Sequence, residues 1–93
     1  MLTLYQAEWC PHSHKVRQRL TELGLDFVAK QVEPKARDRD ALRTVTGTDE
    51  IPVLVTEDGE AIDVDDRIIE WLDARYPEPE TAKGHRAQLR AHS

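Results

Sequence analysis

The hydrophobic positions in the first quarter of the chain change from an alternating to a helical period. Residues 2–5, LTLY, alternate apolar and polar side chains and predict a strand. From Pro11 onward, hydrophobic residues recur at intervals of four and three, as on one face of a helix. These residues are Val16, Leu20 and Leu23. Gly24 is typical of a helix C-cap, so we expect a helix over residues 11–23.

The middle of the chain continues with a second strand and a more polar helix. Residues 25–33 alternate around Phe27 and Val28, and the proline at position 34 ends that strand. The following segment, KARDRDALRTVTG, is rich in arginine and has only a few apolar contacts. It predicts a short, mostly solvated helix over residues 35–47, ended by its glycine.

The last third begins with a hairpin and ends with a helix and a tail. Strands over residues 52–56 and 60–64 flank the sequence EDG, which is typical of a tight turn. DDRIIEWLDARY then shows helical spacing, and we expect Asp65 or Asp66 as its N-cap. The tail, residues 77–93, is poor in large apolar residues, so we expect it to be frayed or only partly helical. The folded domain is therefore predicted over residues 1–76, and the tail should be dispensable for the fold.

The predicted element order is β-α-β-α-β-β-α. The first β-α-β unit requires a parallel strand pair, and the hairpin adds two antiparallel strands. We therefore predict an α/β fold with a four-stranded mixed sheet flanked by helices on both faces. This is the thioredoxin-like arrangement.

Composition restricts the possible classes of protein. Ninety-three residues fit one small domain, and the net charge of -5 comes without a basic stripe for nucleic acid. The chain has no apolar stretch near the ~20 residues that cross a bilayer. A single cysteine cannot form an internal disulfide. We expect a cytoplasmic monomer with a reduced thiol that contacts neither nucleic acid nor membrane.

That cysteine, Cys10, precedes a proline at the predicted start of the first helix. Pro11 suits the first helical position, where its missing N–H costs nothing. The thiol is then left near unpaired backbone N–H groups and the positive end of the helix dipole. Both features favour the thiolate, the nucleophile of disulfide exchange, so Cys10 is predicted to be reactive. The alternative is a small buried hydrophobic residue without reactivity.

Three motifs resemble the glutaredoxins and the N-terminal domain of glutathione S-transferases. CPHS at 10–13 is similar to the glutaredoxin site Cys-Pro-x-Cys, with Ser13 in place of the second cysteine. IPVLV at 51–55 resembles the strand that this family opens with a cis-proline. VDD at 64–66 resembles the small residue and two aspartates of glutaredoxins. The resemblance covers residues 2–76, and HKVRQRLTELGLDF is closer to its transferase branch.

The resemblance implies a site for glutathione or a related thiol such as γ-glutamylcysteine. The backbone of Ile51, before a cis Pro52, would pair with the cysteinyl part of the thiol. Asp65 and Asp66 would lie near its γ-glutamyl end. The family often has a lysine where this chain has alanine at position 7, so the glycine carboxylate needs another basic partner. We expect Arg43 or Arg39 in that role.

The catalytic residues implied are Cys10, Pro11 and Ser13. Ser13 cannot resolve a mixed disulfide, although it could donate a hydrogen bond to the Cys10 thiolate. Its other interpretation is a helix-surface serine. Cys-x-His-x-His at 10–14 is not a usual zinc pattern, so no metal site is expected. His14 could instead approach Cys10 from one turn along the helix.

These inferences favour a monothiol glutaredoxin-like thiol-disulfide oxidoreductase. It would act on glutathionylated or disulfide-bearing proteins, with a low-molecular-weight thiol as co-substrate. The first alternative is an iron–sulfur carrier, in which two copies of Cys10 and two glutathione thiolates bridge a cluster. Monothiol glutaredoxins that do this carry glycine-phenylalanine where this chain has proline-histidine. The second alternative is a non-catalytic thiol-binding module of the transferase type.

Trp9 is either an exposed docking residue or a half-buried anchor.

Overall fold

Four strands and four α-helices make up the computed structural model, which describes all 93 residues. The strands are Leu2–Gln6 (β1), Phe27–Gln31 (β2), Val53–Val55 (β3) and Ala61–Asp63 (β4). The helices are Pro11–Glu22 (α1), Asp40–Thr46 (α2), Asp65–Arg75 (α3) and Ala82–Ala91 (α4). None of these helices has the length and apolar character that crossing a membrane requires. Strands β2 to β4 are shorter by one or two residues at each end than the sequence predicts.

The sheet has the strand order β2-β1-β3-β4. β1 runs parallel to β2, and Leu4 lies opposite Ala29. β3 is antiparallel to both β1 and β4, with Leu54 between Leu4 and Ile62. The predicted four-stranded mixed sheet of a thioredoxin-like α/β fold is confirmed.

The hydrophobic core lies between one face of the sheet and two helices. The fully or nearly buried residues of this cluster come from β1, α1, β3 and α3, and all are aliphatic. They are Leu2, Leu4, Val16, Leu20, Leu23, Leu54, Ile68 and Leu72. Trp71, which the pattern also places in the core, is only half-buried at its edge, where Arg75 stacks 4.4 Å from the ring centroid.

Helix α2 lies near Tyr5, on the sheet face opposite to Leu4, and it begins later than predicted. Residues 36–38 form a separate 3-10 turn, and Arg39 interrupts the helix with φ -92° and ψ 52°. Its buried guanidinium donates hydrogen bonds to the carbonyl oxygens of Glu33, Pro34 and Asp49. These three bonds hold Arg39 between the 3-10 turn and α2, where the sequence predicts one continuous helix.

The tail differs from the expectation of a frayed segment, because it contains α4 packed against α1. Ala82 is completely buried, and the Arg86 guanidinium lies 3.1 Å from Glu22 and 2.6 Å from Glu78. Arg19 contacts the same two glutamates, at 2.8 and 2.9 Å. Charged contacts therefore hold α4 against α1. The sequence analysis missed this helix because a pattern of hydrophobic residues does not detect such contacts.

Candidate functional site

Three segments meet at one end of the sheet because of its topology. β1 runs antiparallel to β3, so the loop after β1 lies at the same end as the residues before β3. β4 is antiparallel to β3 in turn, and its last residues reach this end as well. The N-termini of α1 and α3 and the Ile51–Pro52 segment therefore converge there.

Cys10 is the N-cap of α1, and Pro11 occupies the first helical position as predicted. Its backbone is extended, with φ -82° and ψ 118°, and its side chain turns back over the first turn. The backbone N–H of Ser13 donates to Cys10 Sγ at 3.4 Å. A sulfur atom thus takes the capping role that an oxygen usually has. The Cys10 side chain is only 6% exposed.

The pKa of the Cys10 thiol lies below its ordinary value. Burial of the thiol raises the pKa, but several other contacts outweigh burial. These are hydrogen bonds from the Ser13 hydroxyl and from the backbone N–H groups of Ser13 and His12, together with the positive charge of Arg17. All of them favour the thiolate. His14 bonds to Cys10 only through its backbone N–H, which donates to the Cys10 carbonyl oxygen at 3.0 Å, so the His14 side chain makes no hydrogen bond with the thiol.

Ser13 is completely buried, so it is not the helix-surface serine that was one of its two interpretations. Its Oγ accepts a hydrogen bond from the backbone N–H of Ala7 at 3.3 Å. The hydroxyl hydrogen remains available to donate toward Cys10. Ser13 therefore joins the loop after β1 to the first turn of α1, beside the sulfur.

A cavity of about 180 Å³ opens at the same end of the sheet. Six residues from α1, from the segment before β3 and from the start of α3 line it: His12, Glu50, Ile51, Pro52, Val64 and Asp65. Cys10 is not among them, but it lies two residues from His12 in the same helical turn. The Ile51–Pro52 peptide bond is cis. The backbone N–H and C=O of Ile51 form no hydrogen bond within the protein.

The N-cap of α3 is Val64, not one of the two predicted aspartates. Val64 has φ 66°, a left-handed conformation that a β-branched residue rarely adopts. This backbone turns the chain from β4 into the helix, so that Asp65 becomes its first residue. The Asp65 carboxylate is therefore directed elsewhere: Oδ1 accepts from the N–H of Asp66 at 2.8 Å.

Asp65 also joins α3 to α1 across the cavity. Its Oδ2 lies 2.8 Å from Nδ1 of His12 and 3.9 Å from Nζ of Lys15. The His12 hydrogen bond is the main cause that lowers the pKa of Asp65, with smaller contributions from the Asp66 N–H and the Lys15 charge. From the sequence, His12 is considered only as a possible metal ligand. Its contact with Asp65 joins residues 53 positions apart and leaves no local signal in the sequence.

Two further predicted residues do not reach the cavity. Asp66 points outward, with 78% of its side chain exposed, and pairs with Lys15 at 2.5 Å. Arg43 is held by its own loop, where it contacts the Asp40 carboxylate and, at 3.2 Å, that of Asp49. It also donates to two backbone carbonyl oxygens, at 3.0 Å each. These bonds keep the Arg43 guanidinium with α2.

Trp9 is 64% exposed next to Cys10 in the chain, so it is not the half-buried anchor of the second interpretation. No group of three or more histidine, cysteine, aspartate or glutamate side chains has the arrangement of a metal site.

Comparison with known proteins identifies the family. The sequence pattern described as "Glutathione S-transferase, N-terminal domain" matches residues 4–80. A search of curated proteins found no match.

Solved structures of transferases share this fold. A glutathione S-transferase from Rhodospirillum rubrum F11 is 36% identical over 85% of this chain, with a TM-score of 0.74. One from Methylobacillus flagellatus KT, with glutathione bound, is 28% identical over 89% of the chain, with a TM-score of 0.71. One from Methylobacterium radiotolerans JCM 2831, in complex with glutathione sulfonate, is 27% identical over 84%, with a TM-score of 0.74.

The matches cover only part of these relatives: 35%, 44% and 36% of their lengths, respectively. The family pattern covers most of the present chain, including the Cys10 turn, the cis-proline segment and the start of α3. The chain belongs to the family of glutathione S-transferase N-terminal domains.

Proposed function

We propose that this domain catalyses thiol–disulfide exchange with a glutathione-type thiol and uses Cys10 as its only redox-active residue. The observation that carries the proposal is the capping position of Cys10, whose sulfur accepts the Ser13 N–H and whose pKa is lowered. A structural cysteine in an apolar core has neither feature. Family membership alone does not specify a reaction, and the proposal adds thiol–disulfide exchange at Cys10.

The proposed reaction has two exchange steps. The Cys10 thiolate attacks the glutathionyl sulfur of a mixed disulfide between glutathione and a substrate protein. The substrate sulfur leaves as a thiolate, and Cys10 carries the glutathionyl group. A second glutathione thiolate then attacks that group, releases glutathione disulfide and restores the Cys10 thiolate. Overall, one free glutathione is oxidised to one half of the glutathione disulfide and the substrate sulfur is reduced to a thiolate, so no other oxidant or reductant is needed.

The cavity beside Cys10 offers matching groups for the thiol co-substrate. The free N–H and C=O of Ile51 are available for an added peptide strand. At the start of α3, unpaired backbone N–H groups favour the carboxylate of a γ-glutamyl group. The Asp65 carboxylate suits its ammonium. Two related transferases are described with glutathione or glutathione sulfonate bound, which supports a ligand of this kind here.

A second candidate is a non-catalytic thiol-binding module, an alternative that is compatible with the family. The observation in its favour is the small exposed fraction of Cys10, 6%, which restricts approach to the sulfur. In this case the cavity binds the thiol, and Cys10 only stabilises the first turn of α1.

An intact-mass titration with glutathione disulfide distinguishes the two candidates. We expect wild-type protein to gain one glutathionyl group and to lose it when reduced glutathione is added. Cys10→Ser should gain none and should keep its thermal melt, since the change is small and serine is a good N-cap. Binding of reduced glutathione in calorimetry without any adduct would favour the non-catalytic module.

A further inference from the structure

Glu50 lines the cavity, and no cationic side chain forms an ion pair with it. Its side chain is exposed, and its carboxylate forms neither an ion pair nor a hydrogen bond with another residue. The other carboxylate in the lining is Asp65, which already faces His12 and Lys15. The Glu50 side of the cavity therefore carries uncompensated negative charge.

The arginines that could neutralise this charge are engaged elsewhere. Arg39 is buried and donates to three backbone carbonyl oxygens. Arg43 is shared between two aspartates and two carbonyl oxygens of its own segment. Lys15 contacts Asp66 at 2.5 Å, on the α3 side of the cavity. Each of these three cations therefore has other partners, and none of them forms an ion pair with Glu50.

Strand geometry determines which part of a bound thiol faces Glu50. This step rests on the proposed function, in which Ile51 exchanges both its hydrogen bonds with the cysteinyl residue of the ligand. Two residues that exchange both bonds form an antiparallel pair. The residue that follows the cysteine in the ligand then lies opposite the residue that precedes Ile51. That residue is Glu50, and in glutathione its counterpart is the glycine with its carboxylate.

We propose that Glu50 makes the site select γ-glutamylcysteinyl thiols whose distal end is neutral or cationic, such as glutathione with an amidated glycine. A glycine carboxylate opposite Glu50 is a like-charge contact at an exposed position. Contacts between exposed charges typically change affinity by up to about fivefold. We therefore expect a preference of about threefold for the amidated thiol, which decreases as added salt screens the charges.

The experiment compares two disulfides that differ only in the glycine carboxylate. Rates of Cys10 modification are measured by intact mass with glutathione disulfide and with the disulfide of glutathione amide. Each rate is divided by that of free cysteine with the same disulfide, which removes differences in intrinsic reactivity. The variants are Glu50→Lys and, as the matched control, Glu80→Lys. Glu80 is also exposed and unpaired, but it does not line the cavity.

Glu50→Lys should abolish or reverse the preference for the amide, and Glu80→Lys should retain it. The control is needed because both variants change the net charge of -5 by the same amount. An equal ratio of rates in the two variants would overturn the assignment of specificity to Glu50, while leaving the exchange reaction in place. If neither disulfide modifies wild-type Cys10, the proposed function itself is wrong, and the inference fails with it.

Discussion

Ser13 lowers the pKa of the Cys10 thiol through two hydrogen bonds. The Ser13 backbone N–H and hydroxyl both favour the Cys10 thiolate, while burial opposes it. The same hydroxyl accepts the Ala7 N–H, so its orientation depends on the loop after β1. Ser13 therefore has a role beside the thiol, although a serine cannot form a disulfide with Cys10.

Replacement of Ser13 by alanine should raise the pKa of Cys10 and slow its alkylation at neutral pH. It removes the hydroxyl hydrogen bond but keeps the backbone one, so the midpoint should move only part of the way to that of free cysteine. The measurement is the iodoacetamide rate against pH for wild type, Ser13→Ala and the control His14→Asn. The His14 side chain forms no hydrogen bond with the Cys10 sulfur, so its replacement should leave the midpoint unchanged. Identical profiles for wild type and Ser13→Ala would contradict the assignment.

Asp65 should matter for ligand affinity more than for stability. A charge-assisted contact with the γ-glutamyl ammonium is worth about 1.5–3 kcal/mol. Asp65→Asn should therefore weaken exchange with glutathione-type disulfides by roughly tenfold, as about 1.4 kcal/mol implies. The melting temperature should barely move, because Val64 is the N-cap and the His12 partner is largely exposed.

Asp66→Asn is the matched control for this prediction. Asp66 is the next residue of the same helix turn, but it points away from the cavity. Its replacement should leave the exchange rate unchanged. The ligand site is in the wrong place if Asp65→Asn lowers the melting temperature without changing the steady-state rate on a glutathionylated peptide.

Among the elements, α4 depends most clearly on charge for its position. Arg19 on α1 and Arg86 on α4 share Glu22 and Glu78 between them. Hydrogen bonds from Arg86 and Arg19 lower the pKa of Glu78 to about 2. The pKa of Glu22 is also lowered, because hydrogen bonds from Gln18, Arg19 and Arg86 outweigh its burial.

The depressed pKa values predict the pH range in which this docking weakens. A carboxylate with a lower pKa in the folded than in the unfolded state stabilises the fold fully above its unfolded pKa. That stability is lost as the pH falls from about 4.5 toward 2 for Glu78. Glu78→Gln should lower the melting temperature by a few degrees at pH 7 and reduce its dependence on pH below 4.5. Thermal melts between pH 2 and 7 test this, with the unpaired Glu80→Gln as control; identical effects of the two variants would exclude a docking role.

The order of the elements from β1 to α3 and most of the core could be predicted from the sequence, since both follow from local periodicity. Val16, Leu20, Ile68 and Leu72 are completely buried as their spacing indicates. Contacts between distant charged residues could not be predicted, because their partners are set only by the tertiary fold. This limit explains both the missed α4 and the free arginine expected at position 43.

For the candidate site, the sequence motifs predict which segments meet but not which side chains line the cavity. The motifs around Cys10, Pro52 and Asp65 identify the turns that converge at one end of the sheet. His12 and Glu50 were missed as lining residues, because the shape of a cavity depends on side-chain directions that no motif specifies.

The whole molecule depends on a small core of eight buried aliphatic residues. Domains of this size are only marginally stable, so one large cavity in the core removes much of the free energy of unfolding. Leu20 is completely buried in the last turn of α1, and Leu20→Ala should cost about 2–5 kcal/mol. Leu89 on α4 is 38% exposed, so Leu89→Ala should cost much less. Urea unfolding of both variants gives the comparison, and similar midpoints would show that α4 contributes as much as the core.

Under the proposed function, the single thiol also determines how the oxidised fraction of the protein depends on the concentrations of glutathione and glutathione disulfide. By mass action, the ratio of glutathionylated to free protein at equilibrium follows the ratio of glutathione disulfide to glutathione. For a site with two cysteines that close on each other, the corresponding ratio contains the square of the glutathione concentration. Dilution of the whole thiol pool therefore oxidises such a dithiol site but leaves the Cys10 equilibrium unchanged. With serine at position 13, the domain responds to the composition of the pool and is insensitive to its size.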